Sequence, residues 1–227
     1  MIPDSDDNRD GPPGGERLDP RLALEISQAA AGRVIAFSSE VGRLSSVTWG
    51  IVWLLGYGVL WRSSANSGGD PPAWAFAVFF GLMAAGLVIC TIAGIKAGGQ
   101  LAGPSALAGA LYGWSWFITF GVGMSVIGII AGRYGLTGQV IAVLFNAVAA
   151  ILAGTLYMAG AAVFKEPAMF VIGAVMIGLA PVGVGVGVPG GYLAMALAGG
   201  GVMLVYFALQ TLRIRQLGRA NRRPPRA

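Results

Sequence analysis

Between Pro71 and Leu212 the only acids and bases in this chain are Lys96, Arg133, Lys165 and Glu166. The stretches between them are runs of Leu, Val, Ile, Ala, Phe and Gly. A helix needs about 20 apolar residues to cross the hydrocarbon of a bilayer. Inside lipid every backbone polar group must be bonded within its own structure, which a helix achieves. Of the 227 residues, 56% are hydrophobic and 11% charged, against roughly 25% charged in soluble domains. One soluble core of this size cannot hide so much apolar surface. The expected fold class is therefore all-α, an integral membrane bundle of six transmembrane helices.

The spans expected from hydropathy are about Leu44–Trp61, Ala73–Ile95, Leu107–Ala131, Gln139–Phe164, Ala168–Val188 and Tyr192–Leu212. The last two come from one uncharged stretch that is too long for a single crossing. It divides at Val188-Pro189-Gly190-Gly191, because Pro and Gly both interrupt helices. Basic residues gather on the cytoplasmic side of membrane proteins. With both termini inside, thirteen of the fifteen bases fall on that side, and only Arg62 and Arg133 lie outside. The expected location is a cell membrane, with N- and C-termini cytoplasmic. The Arg-, Gly-, Ala- and Pro-rich composition fits a GC-rich bacterial genome.

The flanks differ from the spans. Residues 1–19 are acidic, rich in Pro and Gly, and too polar to order themselves. They lack the basic start and apolar stretch of a signal peptide. Asp19-Pro20 reads as a helix N-cap followed by proline at the first helical position. Leu22, Ile26, Ala30 and Val34 follow at four-residue spacing. Residues 20–43 are thus either an interfacial helix or an extension of the first span. The tail, residues 213–227, is purely basic. Arg213, Arg215, Arg219, Arg222 and Arg223 are expected to contact anionic lipid headgroups of the inner leaflet. No nucleic-acid partner is expected.

Four motifs stand out within the spans. Trp49, Trp53, Tyr57 and Trp61 lie four apart, a stripe drifting only about 40° per step around the first helix. It reads as packing with interfacial anchors at its ends, or as a flat binding face. A second aromatic cluster, Tyr112, Trp114, Trp116, Phe117 and Phe120, lies on the third span. Small residues four apart let helix backbones approach closely in lipid. Such ladders occur at Ala73/Ala77/Gly81/Ala85 on the second span and at Ala142/Asn146/Ala150/Gly154 on the fourth. Asn146 is the most polar side chain deep in any span, and its amide needs partners. Ser115 and Thr119 share one face of the third span. The Pro181–Pro189 segment, with Gly183, Gly185 and Gly187 alternating with Val, makes a poor helix and reads as a kinked span end or an unwound binding segment.

Absences narrow the chemistry. The chain has no histidine and one cysteine, Cys90. No span carries the paired acids of intramembrane aspartyl proteolysis. Histidine-dependent nucleophilic or zinc chemistry has no residues to use. No P-loop occurs. No enzyme activity, metal or cofactor is expected. Proton-coupled transport is disfavoured by the lack of a buried carboxylate or histidine. Two functions remain. The first is a permease-like or channel-forming subunit for a neutral or hydrophobic solute, with Asn146, Ser115, Thr119, Gly183, Gly185 and Gly187 lining the path. The alternative is a non-transporting accessory or scaffold protein. It would pack against a partner membrane protein or a second copy through a small-residue helix face. A polar cavity reaching Asn146 favours the first, and an outward-facing Ala73/Ala77/Gly81/Ala85 ladder favours the second.

Overall fold

The computed structural model describes residues 19–98, 104–136 and 138–220. The chain divides between Ser38 and Ser39 into two compact units. In the first, helix α1 (Pro20–Ser67) begins where the cap signal lies. The Asp19 carboxylate accepts a hydrogen bond from the Arg21 backbone N–H at 2.9 Å. Pro20, which has no N–H to leave unpaired, takes the first helical position. Residues 20–43 are helical throughout as part of α1.

The second unit holds all the membrane-length segments. After α1 come α2 (Ala73–Gly98), α3 (Pro104–Tyr134), α4 (Gly138–Phe164) and α5 (Pro167–Val186). The last crossing is built from α6 (Gly190–Ala194), a π-helical turn (Met195–Gly200) and α7 (Gly201–Ala220). Six segments are long and apolar enough to span a bilayer: Glu40–Ser67, Ala73–Lys96, Ala106–Tyr134, Gly138–Phe164, Pro167–Val186 and Gly190–Gln216. This is the all-α six-helix arrangement expected from hydropathy, and no strand occurs among the described residues.

Two features of the last two spans differ from expectation. The fifth helix stops at Val186, not Val188, because Gly187 adopts φ 68° and ψ −163°. That region of backbone space is essentially open to glycine alone. The alternating-glycine segment otherwise stays helical through Gly183 and Gly185, with Pro181 inside it. The sixth span is the second difference, since its π turn interrupts an expected continuous helix. The wide turn lies where Gly199 and Gly200 meet α1. A Cβ on Gly199 would fall 2.5 Å from the Trp53 ring, and one on Gly200 would fall 2.9 Å from the Gly50 carbonyl oxygen.

The other connections are tight. Lys165 takes a left-handed φ of 54° to end α4. Glu166 then caps α5, its carboxylate accepting from the Ala168 N–H at 3.4 Å, with Pro167 in the first turn. After α1, Ser64 donates to the Gly69 carbonyl and Ser67 to that of Asp70. Asp70 also reaches the start of α4, where its Oδ2 lies 2.9 Å from the Cβ position of Gly138. The α1–α2 and α3–α4 connections therefore share one end of the bundle. At the other end, the Arg43 guanidinium of α1 sits 6.0 Å from the centroid of the Phe207 ring of α7. The bundle is entered and left on the same side, as an even number of crossings requires.

The core lies among α1, α2, α4, α5 and the sixth span. Trp53, Tyr57 and Leu60 pack with Phe79, Ala150, Met176, Tyr192 and Met195. Burial ranks the helices. In the most apolar stretch of each, 39% is buried for the first span and 33% for the fifth and sixth, but only 11% for the third. Helix α3 is peripheral and touches α4 along one face, where the Tyr112 hydroxyl donates to the Leu156 carbonyl at 3.1 Å.

Candidate functional site

Spacing alone makes the small-residue ladders of α2 and α4 look equivalent. Their surroundings are opposite. On α4, Ala150 is fully buried, Gly154 is buried, and Ala142 packs against the core. A Cβ on Gly154 would fall 2.6 Å from the Gly173 carbonyl oxygen of α5. This ladder is consumed by an internal backbone-to-backbone contact. On α2 the core face is a different one, carrying Ala75, Phe79 and Gly86. Ala73, Ala77, Gly81 and Ala85 are all exposed, and nothing lies within 4 Å of the Gly81 Cβ position. Bulky side chains flank the ladder, including Phe80 (63% exposed) and Val78. The ladder is thus a strip of small, exposed residues beside larger side chains on the outward side of α2.

The aromatic stripe of α1 points inward. Trp53 and Tyr57 are buried, while Trp49 and Trp61 are half-buried. Tyr57 packs edge-on against Phe79 with ring centroids 4.9 Å apart, and Tyr192 lies 6.3 Å away. The stripe is thus the centre of the core. On α3, Trp116 stacks on Phe120 at 5.7 Å and meets Tyr157 of α4 edge-on at 5.4 Å. Trp114 and Phe117 face outward.

The residues expected to line a solute path do not converge. Asn146 is half-buried on α4, and its amide makes no hydrogen bond among the described residues. Ser115 donates to the Tyr112 carbonyl of its own helix at 2.7 Å. Thr119 is half-buried. Gly183 is buried against Met195 and Gly191, Gly185 is exposed, and Gly187 sits in the turn after α5. A cleft of about 350 Å³ lies elsewhere, between α1 and α7, lined by Glu40, Arg43, Leu44, Val47 and Phe207. Asn146 is not part of it. Sequence reasoning did not single out this cleft. Its signal is Glu40, Arg43, Leu44 and Val47 at helical spacing, which places polar and apolar groups on one face.

Of the basic tail, Arg213 and Arg215 are exposed near the end of α7. The Arg219 side chain, Arg222 and Arg223 lie outside the described residues, as do residues 1–18. Among the described residues no cluster of acidic, cysteine or histidine side chains has the grouping needed to hold a metal.

Six apolar helices around one core, with large hydrophobic side chains facing outward, define a multi-pass membrane protein. No protein-family model, curated protein or solved structure matches the chain.

Proposed function

We propose that this is a non-transporting accessory protein that packs against another transmembrane helix through the outward ladder of α2. The partner helix comes from a second copy or from a different membrane protein. The observation carrying this reading is the contrast between the two ladders. Where the chain uses small residues internally, at Gly154/Gly173 and Gly50/Gly200, backbones fill the space. At Ala73, Ala77, Gly81 and Ala85 the same pattern faces outward with nothing against it. Lipid tails offer no reason for a strip of small residues, whereas a second helix gains close backbone contact there. We read the protein as non-catalytic, because it has no histidine and, between Pro71 and Leu212, its only carboxylate is Glu166 in the turn before α5.

The test is the size of the assembly extracted from native membranes in mild detergent. Wild type is expected to run as a discrete assembly larger than the monomer. Gly81→Leu, which adds bulk to the strip, is expected to reduce it to the monomer without lowering the thermal unfolding midpoint. A monomeric wild type, or an assembly indifferent to Gly81→Leu, would overturn the reading.

A permease-like role is the second reading, and the unpartnered amide of Asn146 favours it. An unpaired amide inside a membrane domain marks a solute contact when it meets a cavity. Asn146→Leu separates the cases. A solute contact requires that uptake falls in the variant, whereas greater stability with unchanged uptake removes Asn146 as a site.

A further inference from the structure

The cleft between α1 and α7 is graded along its length. Glu40, Arg43, Leu44 and Val47 occupy positions i, i+3, i+4 and i+7 of one helical face, so the charged pair lies at the end of the bundle and the apolar pair deeper. Beyond Val47 the cleft meets the crossing at Gly50 and Gly200, where backbone meets backbone. The apolar run of the first span begins at about Leu44, which puts the charged pair at headgroup depth and the apolar walls at the top of the acyl region.

The charges at the mouth are unspent. Among the described residues neither Glu40 nor Arg43 has an ion-pair partner, although three-residue spacing brings them to one face. Phe207 holds the Arg43 guanidinium from one side, a contact that orients a cation without using its N–H groups. The Arg43 Nε is buried and has no acceptor. A guanidinium presenting free N–H groups is suited to a phosphate. A simple anion would also meet the Glu40 carboxylate, whereas a headgroup carrying both phosphate and ammonium satisfies both charges. The volume of about 350 Å³ is in the range of small-molecule pockets.

We propose that this cleft binds one phospholipid bearing a primary ammonium headgroup. Its phosphate rests on Arg43, its ammonium on Glu40, and the start of an acyl chain along Leu44, Val47 and Phe207. This assignment is independent of the α2 interface and differs from the general attraction of anionic lipid to the basic tail.

Native mass spectrometry of the full chain, released from nanodiscs of equal phosphatidylethanolamine and phosphatidylglycerol, tests it. Wild type is expected to retain one phosphatidylethanolamine in preference to phosphatidylglycerol. Arg43→Gln is expected to lower retention of either lipid about tenfold or more, the scale of a charged hydrogen bond. Glu40→Gln alters an exposed side chain and leaves the fold intact. It is expected to reduce the preference for phosphatidylethanolamine about two- to fivefold, the scale of an exposed charge pair. Arg213→Gln in the exposed tail is expected to change neither. Excess glycerophosphoethanolamine, the headgroup without chains, is expected not to displace the lipid. Retention unchanged in Arg43→Gln, a preference unchanged in Glu40→Gln, an equal loss in Arg213→Gln, or displacement by the free headgroup would each overturn the proposal.

Discussion

Gly154 of α4 and Gly173 of α5 meet backbone to backbone: a Cβ on Gly173 would lie 2.5 Å from the Gly154 carbonyl oxygen and 3.0 Å from the Met158 nitrogen. The two helices pack extensively against each other. Backbone atoms on a helix cannot step aside as a flexible side chain can.

Gly173→Val is therefore expected to destabilise the bundle by about 3 kcal/mol or more, at or beyond the upper end of core overpacking. Gly81→Ala on the open face of α2 is expected to change stability by no more than about 0.5 kcal/mol, as for other substitutions in open positions. Thermal unfolding of both variants in detergent micelles checks the pair. Equal losses at the two sites would show that the α4–α5 crossing is not where the structure puts it.

The turn after α5 gives a second contrast. Gly187 has φ 68° and ψ −163°, while Gly185 is helical with open space at its Cβ position. Gly187→Ala is expected to cost about 1–3 kcal/mol through backbone strain. Gly185→Ala is expected to be neutral or to stabilise by up to about 1 kcal/mol, from helix propensity. The same unfolding measurement separates them, and a costly Gly185→Ala would contradict the helical assignment of that segment.

Two tyrosines test hydrogen bonding in the bundle. The Tyr192 hydroxyl is buried without a protein partner, whereas that of Tyr112 donates to the Leu156 carbonyl. Tyr112→Phe is expected to destabilise by about 1 kcal/mol, the net worth of one hydrogen bond. Tyr192→Phe removes an unsatisfied group and is expected to leave stability unchanged or raise it by about 1 kcal/mol. A loss in Tyr192→Phe would mean that water or a ligand meets this hydroxyl.

The architecture was legible because hydrophobicity is a local property of the chain. Hydropathy places spans at Ala73–Ile95 and Gln139–Phe164, and helices α2 (Ala73–Gly98) and α4 (Gly138–Phe164) cover them. Asp19-Pro20 likewise announced the start of α1 through its own cap chemistry. Partner choice is not local, and there the sequence ran out. The ladders of α2 and α4 share a spacing, yet only that of α4 meets another backbone. The π turn at Met195–Gly200 was invisible for the same reason. Three successive glycines, 199–201, hint at irregularity, but contact with Gly50 and Trp53, about 150 residues away in sequence, fixes where the turn lies. The α1–α7 cleft also needs two distant helices before Arg43 and Phe207 can face each other.

Site-specific photo-cross-linking in intact native membranes tests the central claim most directly. A photoreactive residue at position 81 samples the outward ladder of α2, and one in place of Ile118 samples the exposed face of α3. Position 81 is expected to give a discrete protein–protein product that disappears when Ala77→Leu adds bulk to the strip, while position 118 gives none. No product at position 81, or one that persists with Ala77→Leu, would contradict a helix-docking role for this protein.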